Sequence, residues 1–132
     1  MLQPFPAWHV PDEWAAIEAT LRPAIERDPQ RDSWRVLDQA MSCDLDFWRI
    51  DGQLTGWAVT QTLRPVFWVI YVGGCGGSIQ QARDDMRLLE DEARKARCSI
   101  VKFRGRDWRR VFPNYHAKRL EDGRWEFRRT IQ

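Results

Sequence analysis

The chain has 132 residues, is 43% hydrophobic, contains eight tryptophans and carries a net charge of +2. That length suits one domain (residues 1–132) with its own core, and the apolar content excludes a disordered chain. The longest apolar run, Val66 to Val72, is far short of a bilayer span, and the first six residues lack the basic and apolar regions of a signal peptide. A soluble, cytoplasmic protein with no membrane association is therefore expected.

Pro4, Pro6 and Pro11 bracket Ala7–Val10, a candidate first edge strand. From Pro11, the apolar residues Trp14, Ile17, Leu21 and Ile25 recur at helical spacing, and Pro23 is expected to end or kink that helix near Leu21. A second helix starts at Asp32 or Ser33, with Trp34, Leu37 and Met41 as its predicted buried stripe. The period then changes. Phe47–Ile50, Asp51-Gly52 and Leu54–Thr62 read as a hairpin with a type I′ turn. Pro65 introduces Val66–Val72, an apolar run suited to a central strand buried on both faces.

Gly73-Gly74-Cys75-Gly76-Gly77-Ser78 follows directly. Ile79, Ala82, Met86, Leu89, Ala93 and Ala96 then mark the clearest helix of the chain, with Ser78 and Gln81 as a capping box. Cys98–Phe103 is the next strand, and Asp107 caps a predicted short helix, Trp108–Phe112, stopped by Pro113. His116–Leu120 and Trp125–Ile131 close the chain as a hairpin through Asp122-Gly123. The order β-α-α-β-β-β-α-β-α-β-β mixes hairpins with crossovers, which predicts an α/β chain around a central twisted mixed sheet.

The segment Val72, Gly73, Gly74, Cys75, Gly76, Gly77, Ser78 and Ile79 is the most informative. A strand that ends in four glycines and opens a capped helix gathers free backbone N–H groups at the positive end of the helix dipole, a setting for phosphate or pyrophosphate. The alternative is a turn whose glycines only allow a tight exit from the sheet. Neither the G-K-[ST] ending of a P-loop nor the G-x-G-x-x-G spacing is present.

This order of elements, with its loop, resembles the GNAT superfamily of acyl-CoA N-acyltransferases over nearly the whole chain. The resemblance implies that the loop amides hold the pyrophosphate of acetyl-CoA or coenzyme A. Gly76 fits the middle glycine of the family pattern Q/R-x-x-G-x-G/A, whereas Gly73 stands where Gln or Arg is expected and Ser78 replaces the last small residue. A later family motif, A-x-x-x-Y-x-x-x-G-F, supplies a general acid. Here Phe112 falls at the acid position, and Tyr115 is the candidate substitute if Pro113 redirects the chain. No carboxylate lies on the two central strands, and Asp46 and Asp51 are the nearest candidates for a base. Residues 100–115 also resemble the G-R-x-G-W-x-R-x-L-P-x-Y-G-F stretch of small GNAT-like proteins encoded by tailed bacteriophages, lacking the Gly before Trp and the final Gly-Phe.

Three functions follow. The first is a GNAT-fold protein with a degenerate acetyl-CoA site, of phage type, acting through contacts with other proteins in or around a virion, or with copies of itself. The second is an active acetyltransferase with a divergent site. The third rests on charge: residues 1–93 have a balance of −7 and residues 94–132 of +9. Arg104, Arg106, Arg109 and Arg110 around Trp108 are then contacts for nucleic acid or another anion, against the plainer reading that they are the solvated face of a short helix. Cys43, Cys75 and Cys98 form no C-x-x-C pair and lie far from His9 and His116 in sequence, so no metal site is expected and the thiols read as free and mostly buried. Trp14, Trp34, Trp57 and Trp68 read as core, and Trp8, Trp48 and Trp125 as candidates for a protein interface.

Overall fold

The computed structural model describes every residue except Gln53, Cys75, Gly76 and Gln132. The elements run β1 (Leu2–Phe5), a 3-10 turn (Ala7–His9), α1 (Val10–Glu26), α2 (Ser33–Met41), β2 (Asp46–Ile50), β3 (Gly56–Leu63), β4 (Val66–Gly73), α3 (Ile79–Lys95), β5 (Ile100–Gly105), β6 (His116–Arg119) and β7 (Trp125–Thr130). The strands form a single sheet in the order β1-β2-β3-β4-β5-β7-β6. β4 and β5 are parallel and joined by the α3 crossover; the other neighbours are antiparallel.

Each face of the sheet carries its own core. Met86, Leu89 and Ala93 of α3 pack on Phe67, Val69, Val101, Phe103 and Phe127. Ile17, Leu21 and Ile25 of α1 and Val36 and Ala40 of α2 cover Phe47, Trp57, Val59 and Tyr71 on the other face. Phe67 and Val69 face α3 while Tyr71 faces α1, an inversion that strict alternation forbids. A β-bulge explains it: Val59 pairs with Tyr71 and Thr60 with Val69, so Ile70 is left without a partner on β3.

Several sequence expectations are corrected. The first strand is Leu2–Phe5, where Pro4 sits opposite Trp48 at the sheet edge and its missing N–H is tolerated; Ala7–Val10 instead forms the 3-10 turn and the start of α1. α1 continues past Pro23 to Glu26, because the buried Leu21 and Ile25 hold its last turns against the sheet. α2 is rotated from its predicted face. The small pair Val36 and Ala40 is buried, and Trp34 and Met41 turn outward at 79% and 60% exposure. The β2–β3 connection spans residues 51–55, longer than a two-residue turn. Trp108–Phe112 makes a single helical turn, with Phe112 N–H donating to Trp108 C=O at 2.9 Å, since Asp107 and Pro113 leave no room for more. Cys98 is buried as expected, but Cys43 is exposed; Cys75 lies outside the described residues. Among the described residues no helix is long and apolar enough to cross a membrane.

Candidate functional site

Parallel pairing of β4 with β5 runs from Val66 opposite Ile100 to Val69 opposite Phe103 and stops there. β4 continues to Gly73 and β5 to Gly105, so the two strands part just where the bulge at Ile70 bends β4. Beyond Val69 and Phe103 the two strands no longer pair with each other, so β4 at residues 70–72 has no ladder to β5. An extended ligand carrying amides can complete such a ladder.

The gap opens into a cleft of about 810 Å³ lined from both faces of the sheet. The α3 side contributes Ser78, Gln81, Asp85, Met86 and Leu89, together with Phe103, Trp108 and Phe112. At the rim lies the β4–α3 loop. Ser78 Oγ accepts from Gln81 N–H at 3.0 Å, and the first turn of α3 contains no acidic side chain, so the dipole end is open to an anion.

The glycines of this loop divide by role. A Cβ on Gly73 would meet the Thr20 carbonyl at 2.9 Å, and one on Gly74 would meet the Thr20 methyl at 2.6 Å. Both are glycine because α1 passes against them. Gly77, at φ +77°, has no atom of the described residues within 4 Å of the Cβ position, which suits the approach of a ligand.

The opposite side of the cleft is polar. The Tyr71 hydroxyl donates to Asp28 Oδ2 at 2.5 Å, and Gln30 N–H donates to Asp28 Oδ1 at 2.8 Å. Arg31 and Arg124 hold Nη1 3.7 and 3.9 Å from the same carboxylate. Burial first, and then the bond to Asp28, push the Tyr71 phenol well above its ordinary range, so it is a donor and not a base. Trp68, half-buried on β4, lies beneath the Lys102 ammonium at 5.4 Å and the Arg104 guanidinium at 5.0 Å.

No family profile matches this sequence, and no curated protein matches it. Solved structures do match in fold. The aminoglycoside 6′-acetyltransferase type Ii superposes on 100% of this chain and 97% of its own, with a TM-score of 0.72 at 12% identity. The PaiA N-acetyltransferase from Thermoplasma acidophilum, solved with coenzyme A, gives 0.67 at 5% identity over 99% of this chain and 98% of that one. A Bacillus subtilis acetyltransferase in complex with CoA gives 0.60 at 11% identity, covering 89% and 93%. The fold is that of the GNAT acetyltransferases.

On this GNAT fold the predicted site residues fall as follows. Val72, Gly73, Gly74, Gly77 and Ser78 line the cleft, whereas Ile79 is exposed outside the lining; Cys75 and Gly76 lie outside the described residues. Phe112 is in the cleft, packed edge-on against Phe103 at 5.3 Å. Tyr115, the candidate acid, lies away from the cleft. Its hydroxyl donates to Glu90 Oε2 at 2.5 Å in the core, where Arg129 donates to both Glu90 oxygens at 3.1 and 3.0 Å, and Tyr115 is not part of the lining. Burial, then the Glu90 bond, raises the Tyr115 phenol far above its ordinary value. The Tyr115 side chain is thus directed to α3.

The four candidate anion contacts do not converge. Arg104 pairs with Glu126 at 2.9 Å on the α1–α2 face, and Arg106 lies over Trp108. Arg109 grips Asp107 at 2.7 Å, holding that carboxyl down to about 2, and stacks over Trp125. Arg110 is exposed, and its carbonyl accepts from Arg83. Asp46 and Asp51 are also outside the cleft. Among the described residues no group of His, Cys, Asp and Glu is placed to hold a metal. The sequence reading missed Asp28, Arg31, Tyr71, Asp85 and Arg124. Tyr71, the polar member of an apolar run, was the available signal for one of them.

Proposed function

We propose that this protein binds an acyl-coenzyme A in the cleft and transfers the acyl group to an amine, with positioning as its main catalytic device. The observation that carries this reading is the parting of β4 and β5 beside a glycine loop and an open helix N-terminus. The residues present fit such a cofactor. Backbone groups of residues 70–72 would hold its amides, and Gly77, Ser78 and the first N–H groups of α3 its phosphates. When bound, the cofactor supplies an acyl thioester. The protein's part is to fix the amine beside it and to exclude water with Trp108, Phe112 and Trp68.

No tyrosine hydroxyl is free in the cleft to act as an acid, since Tyr71 is bound to Asp28 and Phe112 carries none. Asp28 is already bonded by Tyr71 and Gln30, Asp85 accepts from Gln81 Nε2 at 2.8 Å, and among the described residues no histidine lines the cleft. The amine is therefore expected to enter as its free base. Following thiol release from acetyl-CoA with a panel of amines tests the reading. The logarithm of kcat/KM should rise with unit slope against pH until the amine itself is deprotonated. An inflection near pH 6 to 7 that belongs to the protein would place an unrecognised base in the site.

A second reading, a protein-contact role without turnover, is favoured by Trp8 and Trp34, exposed at 75% and 79%. It covers the phage-type, virion-associated role suggested by the sequence. It expects no stabilisation by acetyl-CoA and loss of partner binding in a Trp34→Ser variant.

A further inference from the structure

The acceptor side of the cleft has a marked sign of charge. Among the described lining residues, five arginines (Arg27, Arg31, Arg104, Arg106 and Arg124) face two carboxylates, Asp28 and Asp85. Asp85 belongs to α3. On the α1–α2 side, Asp28 alone stands against Arg27, Arg31, Arg104 and Arg124. Arg104 is matched by Glu126 and Arg27 is exposed; Arg31, and Arg124 with its Nε on Asp122, are the arginines held in place inside the site.

These two are built in. Their side chains are only 15% and 17% exposed, and each is fixed at Nε: Arg31 to Gln39 Oε1 at 2.7 Å and Arg124 to Asp122 Oδ2 at 2.9 Å. Their Nη1 atoms approach Asp28 only to 3.7 and 3.9 Å, beyond hydrogen-bond length, while Tyr71 and Gln30 donate to its two oxygens. Two guanidinium forks thus converge on Asp28 from different loops, with Asp122 as a second carboxylate on Arg124. They are not placed to serve the cofactor phosphates. Gly73 and Gly74 pack on Thr20, and the helix from Thr20 to Glu26 carries the chain roughly 9 Å along its axis before Asp28 is reached.

We infer that the acyl acceptor is an amine bearing a carboxylate, an amino acid or a close analogue, whose anion is held by Arg31 and Arg124 beside the indole of Trp68. Bidentate guanidinium–carboxylate geometry suits this, and the indole offers an apolar surface to the rest of the acceptor. A polyamine or other multiply cationic acceptor is disfavoured by the same charges.

The inference rests on the acyltransferase reading, and the experiment separates the two. Acetyl-CoA is first shown to raise the unfolding midpoint; no rise sinks the acyltransferase reading itself. Thiol release is then measured with phenylalanine, leucine and glutamate, their carboxamides and their decarboxylated amines, each at a pH that gives equal free amine. At least a tenfold higher kcat/KM for the free acids is expected. Arg31→Gln and Arg124→Gln should each erase most of that preference through KM, while Arg31→Lys keeps part of it. Unfolding midpoints with coenzyme A plus each compound provide a second readout that does not need turnover. Amides or plain amines that match the acids in both readouts, with acetyl-CoA bound, would overturn the inference while leaving the cofactor site intact.

Discussion

Replacing Tyr115 by phenylalanine separates a structural role from a catalytic one. In the fold, the Tyr115 hydroxyl donates to Glu90, a carboxylate 4% exposed on α3, and so ties the 106–115 segment to that helix together with the Arg83 bonds to the carbonyls of Arg110 and Val111. A hydrogen bond to a charged acceptor contributes roughly 1.5–3 kcal/mol. Arg129 keeps Glu90 paired at 3.0 Å in the variant, so the lower half of that range applies. For 132 residues each kcal/mol moves Tm by roughly 3–5 °C, and the variant should melt about 5–10 °C lower. Urea unfolding gives ΔΔG directly, and thiol release on the same sample gives activity. The expected result is a less stable protein with unchanged kcat. Wild-type stability combined with a large fall in kcat would mean that Tyr115 reaches the cleft, and the reasoning would be wrong.

Stability should also fall at alkaline pH. The folded state keeps the Tyr71 and Tyr115 protons above the ordinary value of 10.0, while the unfolded chain releases them there. This stabilisation is fully present below pH 10 and lost as pH rises beyond it, by at most about 1.4 kcal/mol per unit and per tyrosine; unfolding curves at pH 9 and 11 measure it, with a smaller loss in Tyr115→Phe. Gly74→Ala, which combines φ +82° with a contact at 2.6 Å, should cost about 2–4 kcal/mol in denaturant titrations. Gly77→Ala, strained at φ +77° but uncrowded, should cost about 1 kcal/mol. Trp34→Ser should change stability by less than about 0.5 kcal/mol, whereas Trp57→Ala, at a residue 5% exposed, should cost about 3–5 kcal/mol by the same method.

The parts of the fold that were readable from sequence are those where one local signal dominates. α3 has a serine N-cap and a clean 3/4 repeat, though the Gln81 side chain bonds Asp85 instead of closing the predicted capping box, and β4 is an apolar run between Pro65 and four glycines. α2 misled because Trp34, Leu37 and Met41 have helical spacing and large side chains, yet the close approach of α1 selects the small face of Val36 and Ala40. The first strand misled because Leu2–Phe5 is stabilised by its pairing with β2, a contact some 45 residues away that no local window contains. The bulge at Ile70 and the parting of β4 from β5 are likewise properties of the assembled sheet. The β4–α3 side of the cleft was visible as a glycine loop. Asp28, Arg31, Tyr71 and Arg124 were not, since they come from the α1–α2 loop, β4 and the β6–β7 turn and meet only in three dimensions.

The most direct test of the acyl-CoA site is an equilibrium titration of coenzyme A into the wild-type protein and a Gly77→Asp variant. Aspartate tolerates positive φ and has open space there, so the variant should fold, while its carboxylate would oppose a phosphate at the α3 N-terminus. Saturable binding by the wild type, weakened tenfold or more in the variant, is the predicted result. A wild-type protein that shows no binding at millimolar coenzyme A would contradict the account.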